Sequence, residues 1–431
     1  METIVALATP AGNSGVAVIR VSGEDSLNIL RKLVKDEFDP EPRKMYLKDV
    51  HIKNFTDRCL VVFFRAPFSF TGEDVVEIQS HGGYFLAQSI IEEILNLGAR
   101  LADHGEFSKR AFINGKISLD QAEGIIDLIN AESDLQAKTS SDLMSGELKN
   151  IISSHQNTIT DILAEIEAKL DYPEYDYSME ESENVKERIL SLKTSLENLL
   201  IDSRQGLLIR NGVKVAIVGA PNVGKSSLLN ALTKSNKAIV TNIAGTTRDV
   251  IEAEYVYNNI IFRLYDTAGI HDSDDIVEKI GIDRALKTLE DADIVLKVST
   301  SDDICSVETN KPYIEVFNKS DLVKELNDDK YFYVSAKDNI NITELKQLIF
   351  DQIVSNEIHA DRVYLTNTRH IDCVRLASES LSRALELFDI TTFDIISSEI
   401  KSAWSYLGEV SGIVSNEEIL DKIFKKFCLG K

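Results

Sequence analysis

The chain has 431 residues, 43% of them hydrophobic and 27% charged, with a formal net charge of −23. That length accommodates about three domains, and the composition is that of an ordinary globular chain without low-complexity segments. The acidity excludes broad non-specific nucleic-acid binding driven by counterion release, so any such contact must come from local patches or through a partner.

The amino terminus, METIVALATPAGNSGVAVIRVSG, lacks a basic n-region and alternates like a strand, so it does not read as a secretory signal. With no membrane-spanning stretch in the sequence, a cytoplasmic location is expected. Up to about Ile117, the alternating runs GVAVIRV, CLVVFF and DVVEIQ accompany one helical pattern, YFLAQSIIEEILNLG, which predicts an α+β domain over 1–117. This segment has a net charge of only −2; the remaining −21 lies further on, densest around EAKLDYPEYDYSMEESENVKE. Such a run is usually a solvated face or loop.

From Ser118 the period becomes helical. Leu119, Ala122, Ile126 and Ile129 share one face, as do Ile159, Ile162, Ile166 and Leu170, which predicts a first helical segment over 118–212. At Val213 a continuous apolar run, VKVAIVG, ends in a glycine-rich turn followed by a helical pattern, so an α/β nucleotide-binding unit is expected over 213–355. Proline-free helical sequence then resumes over 356–431. The simplest architecture inserts the α/β unit into a helical domain.

The four cysteines, Cys59, Cys305, Cys373 and Cys428, lie far apart, with no C-x-x-C pair and no histidine cluster at zinc spacing. Free thiols in a reducing compartment account for the first three.

GAPNVGKS (Gly219 to Ser226) fits G-x-x-x-x-G-K-[ST] between a strand and a helix, which identifies a P-loop. Loop amides from Asn222, Val223 and Gly224 to Ser227 would cradle phosphates, Lys225 would reach the outer two and Ser226 would ligate magnesium. DTAG (Asp266, Thr267, Ala268, Gly269) suits a magnesium-side aspartate and a γ-phosphate-sensing amide. NKSD follows a strand; there Asn318 and Lys319 would flank the base, and Asp321 can accept from the ring N–H and exocyclic amine of guanine but not from adenine. SAK (Ser335, Ala336, Lys337) supplies a further base-side loop, so GTP is favoured over ATP.

In the intervening TNIAGTTRD a threonine should ligate magnesium when GTP is bound, and spacing alone does not choose between Thr246 and Thr247. Ile270 stands where many GTPases place a water-orienting glutamine, so hydrolysis must be assisted otherwise. Asp272, Asp274, Asp275 and Glu278 are acidic candidates nearby, unless they only solvate the switch.

The combination resembles the MnmE (TrmE) family of tRNA-modification GTPases over essentially the whole chain. ATPAGNSGVAVIRVSG, FTGEDVVEIQSHGG, GEFSKRAFINGKISLDQAE, the GTPase set with TNIAGTTRDV and DTAGIHDSDDIVEKIGIDRA, and the terminal FCLGK carry the likeness. The resemblance implies a tetrahydrofolate-binding-like α+β domain, a discontinuous helical domain and an inserted P-loop GTPase domain. It further implies a homodimer that forms a heterotetramer with the flavoprotein MnmG. Together they would use GTP, magnesium, potassium, FAD on the partner, reduced nicotinamide and 5-formyltetrahydrofolate or a related one-carbon folate. The product would be a carboxymethylaminomethyl-type group on wobble uridine of tRNA.

By the same resemblance, Asn222, Thr241, Ile243 and Thr246 would hold potassium, Thr247 would be the magnesium threonine and Glu278 would activate water. Arg20, Glu77, Lys116 and Lys431 would bind folate. Taken singly these last charges carry little motif information, and His81 in HGG could as easily be a hydrogen-bonded structural histidine. The alternative function is a regulatory GTPase switch that binds RNA or ribosomes without modification chemistry.

The ending FKKFCLGK places Cys428 at the spacing of a prenylation box, but Gly430 and Lys431 do not suit one. Ser415 and Glu418 form a capping box for a helix whose apolar face comprises Ile419, Leu420, Ile423, Phe424 and Phe427, with Lys422, Lys425 and Lys426 largely on its other side. The resemblance therefore makes Cys428 a functional thiol rather than a lipid site, the alternative being that it packs at the helix end. A prenylated signalling GTPase rests on CLGK alone.

Overall fold

Alternating burial marks β-strands of the first sheet such as Val16–Ser22, whereas the central strand of the second, Val213–Val218, is an almost continuously buried apolar run. The computed structural model describes residues 1–171, 179–234, 253–266, 287–323, 328–354, 362–388, 390–414, 417–427 and 430. In chain order, β1 (Ile4–Leu7), β2 (Val16–Ser22), α1 (Ser26–Val34), β3 (Met45–Ile52), β4 (Phe55–Phe64), β5 (Val75–His81), α2 (Tyr84–Asn96), β6 (Arg100–Leu101) and α3 (Glu106–Ile113) come first. The helices α4 (Leu119–Ile129), α5 (Asp134–Ser145), α6 (Glu147–Asp171), α7 (Met179–Ile201) and α8 (Ser203–Asn211) follow. Then come β7 (Val213–Val218), α9 (Lys225–Thr233), β8 (Ala253–Tyr257), β9 (Ile260–Asp266), β10 (Ile294–Ser299), β11 (Tyr313–Phe317), β12 (Phe332–Tyr333) and α10 (Ile342–Ile353). The last elements are α11 (Thr368–Leu387), α12 (Phe393–Ser411) and α13 (Glu417–Phe424). No described helix is long and apolar enough to cross a membrane.

The contacts divide the chain into two compact units, 1–126 with 142–192 and 376–431, and 127–141 with 193–375. In the first, a sheet of order β3-β4-β5-β2-β1-β6 is antiparallel except at β1–β6. One face is covered by α1 and α2, because Ile29, Leu30 and Leu33 of α1 and Ile90, Ile91 and Ile94 of α2 recur at helical spacing and are buried on it. Each such side chain contributes roughly 1.5–3 kcal/mol of burial.

Helices from either side of the nucleotide-binding segment pair within the same unit. In α6, Ile159, Ile162 and Ile166 are buried as the spacing predicts, whereas Leu170, one residue from the helix end, is 43% exposed. Ile129, at the end of α4, is likewise exposed. Gln156 of α6 donates to the carbonyl of Trp404 in α12 at 3.1 Å. The last helix, α13, lies on α3: Lys109 pairs with Asp421 at 2.6 Å, and Phe112 and Phe424 sit 6.2 Å apart. A Cβ on Gly105, ahead of α3, would lie 2.3 Å from the Phe424 carbonyl oxygen, so only glycine admits this approach.

In the second unit the sheet order is β12-β11-β10-β7-β9-β8, parallel except at β8–β9. The apolar run of β7 is buried on both faces, as a central parallel strand requires. Residues 127–141 belong to this unit. Leu135 joins its core, Gln136 donates to the Arg210 carbonyl at 3.1 Å, and Glu132 pairs with Arg263 of β9 at 2.8 Å.

Candidate functional site

The nucleotide loops lie at the carboxyl ends of the parallel strands. β7 delivers the P-loop, whose turn requires left-handed backbone at Asn222 (φ 66°) and Gly224 (φ 93°). Lys225 opens α9 and arches back so that its ammonium donates to the carbonyls of Gly219 at 2.8 Å and Ala220 at 3.1 Å. Ser226 and Ser227 are exposed in the first turn of α9, where the helix dipole favours phosphate.

The base-side loops are tied to the P-loop by short bonds. Asn318, 1% exposed, donates its amide to the Val223 carbonyl at 2.9 Å and accepts from the Ala336 N–H at 3.1 Å. A side chain at Gly224 would meet that amide, since a Cβ there lies 2.4 Å from Asn318 Nδ2. Lys319 reaches the Asn222 carbonyl at 2.8 Å. Asp321 accepts from the Ser335 hydroxyl at 2.6 Å, which fixes one carboxylate oxygen and aims the group. Lys337 follows in the same loop.

Asp266 ends β9 beside β7, with Ile217 as its register partner. Burial raises its carboxyl pKa above the ordinary range while the Lys225 charge pulls it back down. Its Oδ1 is buried with no hydrogen-bond partner among the described residues. Thr241, Ile243, Thr246, Thr247, Thr267, Ala268, Gly269, Asp272, Asp274, Asp275 and Glu278 lie outside the described residues.

A second cluster stands on the first sheet. Arg20 of β2 and Glu77 of β5 are register partners, and the guanidinium reaches Glu77 Oε1 from Nε at 2.9 Å and Nη2 at 2.8 Å. Arg20 also lies 5.7 Å from the Phe107 ring centre and 5.9 Å from that of Phe70. Its Nη1 donates to the carbonyl of Gly430, 3.3 Å away, so the end of the chain returns to this pair. Lys116 donates to the Pro67 carbonyl at 2.8 Å.

The tail is seated by backbone contacts. Gly430 has φ 91°, and a Cβ there would lie 2.5 Å from the Leu7 carbonyl oxygen. His104 Nδ1 donates to the Phe427 carbonyl at 3.1 Å. Phe424 and Phe427 are buried whereas Lys422, Lys425 and Lys426 are exposed, which is the division of faces the sequence predicts and leaves the lysines as a solvated surface. Cys428, Lys431, Ser415 and the side chains of Glu418 and Ile419 lie outside the described residues.

His81 ends β5 with its side chain 73% exposed, its Nδ1 2.6 Å from Asp57 Oδ1. Burial opposes the charge on Asp57, but the bonds from the His81 ring and N–H and from the Cys59 thiol outweigh it and hold the carboxyl below its usual range. Asp57, Phe70, Phe107 and His104 escape a motif reading. Only the spacing of GEFSKRAF, which makes Phe107 one helical turn from Arg110, hints at any of them.

A family model described as the MnmE helical domain matches residues 119–428, and one described as the GTP-binding protein TrmE N-terminus matches residues 3–116. The curated tRNA modification GTPase MnmE of Streptococcus thermophilus strain CNRZ 1066 is 38% identical over 458 residues, spanning 100% of this chain and 98% of its own length. Its namesake from Streptococcus mutans serotype c strain ATCC 700610 / UA159 is 38% identical over 452 residues, spanning 100% and 99%. That of Streptococcus agalactiae serotype III strain NEM316 is 38% identical over 453 residues, spanning 100% and 98%. With a P-loop, a guanine-type NKSD loop and an amino-terminal α+β domain joined to paired helices in one chain, these full-length matches mean that the chain belongs to the MnmE (TrmE) family of GTPases.

Proposed function

We propose that the chain couples GTP hydrolysis to modification of the wobble uridine of tRNA, acting as a cytoplasmic homodimer with the flavoprotein MnmG. The observation that carries this reading is the bond from Arg20 to the Gly430 carbonyl, which sets the end of the chain beside a charged pair suited to folate. Glu77 can accept from the N–H groups of a pterin ring, and Arg20 and Lys116 suit carboxylates. Phe70, 38% exposed next to Arg20, offers a ring face to the pterin. The four-segment division at 117, 212 and 355 belongs to the same proposal.

Magnesium fits the residues at the P-loop, because Asp266 Oδ1 is buried without a partner among the described residues and Ser226 is exposed. Ser226, with Thr247, would hold it, and the ion would neutralise phosphate charge. Lys225 binds the outer phosphates, and Asn318, Lys319, Asp321, Ser335, Ala336 and Lys337 hold guanine. Asn222, in exposed left-handed backbone, would supply a side-chain oxygen to potassium together with Thr241, Ile243 and Thr246. Glu278 would take the proton of the attacking water, and Cys428 and Lys431 would act at the folate.

Nucleoside mass spectrometry of tRNA from a deletion strain, complemented with the wild-type chain or Cys428→Ser, tests this reading. Restoration of the modified wobble uridine by wild type alone is expected. Failure of wild type, while it still hydrolyses GTP, would overturn the tRNA assignment.

A further inference from the structure

The Arg20–Glu77 pair is not the only group on its sheet face. Four residues further along β5, on the same side, stands His81, with Val16 as its partner where Arg20 is that of Glu77. Four residues of strand amount to about 13 Å. Around His81 the strand ends meet the start of α2 and the β3–β4 turn, and large aromatic groups are left uncovered. Phe85 is 76% exposed, Tyr84 50% and Phe55 38%. The rings of Phe85 and Phe55 are stacked, 6.4 Å between centres at 27°.

A platform of this size in an acidic chain needs a partner that tolerates its local charge. Lys53 is exposed in the β3–β4 turn, the first turn of α2 holds no acidic residue, and no side chain caps its amides. Asp57, which holds His81, is buried and occupied by His81 and Cys59. His81 thereby keeps Nδ1 committed and Nε2 facing solvent, available to a base edge or a phosphate oxygen. Exposed aromatic faces beside cationic and amide donors are the equipment of single-stranded nucleic-acid binding, in which a base stacks on a ring regardless of its identity.

We infer that Phe85, stacked on Phe55 and flanked by Tyr84 and His81, is a stacking platform for an unpaired base of the tRNA anticodon loop, at the strand ends on the side of the sheet that α2 covers. This rests on the tRNA reading above and names the surface that receives the RNA.

The test titrates the full chain, alone and with its flavoprotein partner, against a fluorescein-labelled anticodon stem-loop RNA at fixed salt. It compares wild type with Phe85→Ala, Phe85→Leu and Phe85→Trp. Because Phe85 is exposed, none of these should unfold the protein, and GTP turnover should stay at the wild-type rate. Weakening of about ten-fold in the alanine and leucine variants, with affinity kept in the tryptophan variant, is expected. Unchanged affinity in Phe85→Ala overturns the platform and leaves the tRNA reading standing. So does unchanged affinity accompanied by a lower mass in light scattering, which would make this face a contact between copies of the chain. A wild-type chain that binds no stem-loop in either setting overturns the platform and the tRNA reading together.

Discussion

Asn318 holds the P-loop from the far side of the nucleotide site: its amide donates to the carbonyl of Val223, 95 positions earlier in the chain, at 2.9 Å. Its oxygen meanwhile accepts from Ala336, so one buried side chain joins three loops that arrive on separate strands. Removing it leaves a buried carbonyl unpaired, a cost of about 1–3 kcal/mol, and frees the partly buried Ala336 N–H.

Asn318→Ala should therefore weaken guanine-nucleotide binding by ten-fold or more and lower thermal stability. Fluorescence titration with a labelled GDP and a melting curve would measure both. Wild-type affinity in a folded variant would mean that the loops are positioned without this bond.

Stability should also report the carboxylate network under the first sheet. Glu106 accepts from Arg100 at 2.6 Å and from Arg110 at 2.9 Å. Burial disfavours its charge, but the Arg100 bonds, the Asp103 N–H and Arg110 outweigh burial and lower its pKa to about 2. A folded-state pKa below the unfolded one contributes stability above the unfolded value, and that contribution is lost as pH falls toward the folded value. Glu106→Gln should be less stable than wild type at pH 7, by about 3 kcal/mol for a broken buried pair. The gap should narrow between about pH 4.5 and pH 2, the window set by this shift. Urea melts at pH 7 and at the lowest pH where both proteins fold would show it, and a gap constant with pH would remove Glu106 as its source.

The nucleotide loops were legible because the P-loop demands particular residues at fixed offsets: Gly224 where a Cβ would strike Asn318, and Lys225 where the helix begins. The sheets were legible from periodicity, since β2 alternates and β7 does not. Periodicity is blind to which distant segments meet. Arg20 and Gly430 are separated by 410 positions, and nothing in either neighbourhood encodes their bond, so the charged pair was accessible only through family likeness. Leu170 shows the complementary failure, a helical stripe carried one turn past the residues that cover it.

The cluster around Arg20 predicts a separation of functions. Lysine keeps the charge at this position but loses the planar fork whose Nε and Nη2 hold Glu77 while Nη1 reaches the Gly430 carbonyl. Arg20→Lys should lose ten-fold or more in affinity for 5-formyltetrahydrofolate, measured by calorimetry, while GTP turnover stays within two-fold of wild type. Equal folate affinity would show that charge alone suffices there.

The tail offers the sharpest test of what glycine contributes. Gly430 combines φ 91° with a Cβ position 2.5 Å from a backbone oxygen of β1 and 2.9 Å from the Ala8 Cα, so alanine is penalised by its own backbone and by atoms that cannot rotate away. Displacing the residue breaks the bond to Arg20. Phe424 and Phe427 remain buried upstream, so α13 should stay docked and the fold should hold. Gly430→Ala should thus melt within a few degrees of wild type, hydrolyse GTP normally, and lose both folate affinity and restoration of the modified nucleoside. A variant that restores modification at the wild-type level would mean that the tail does its work without the close approach to β1.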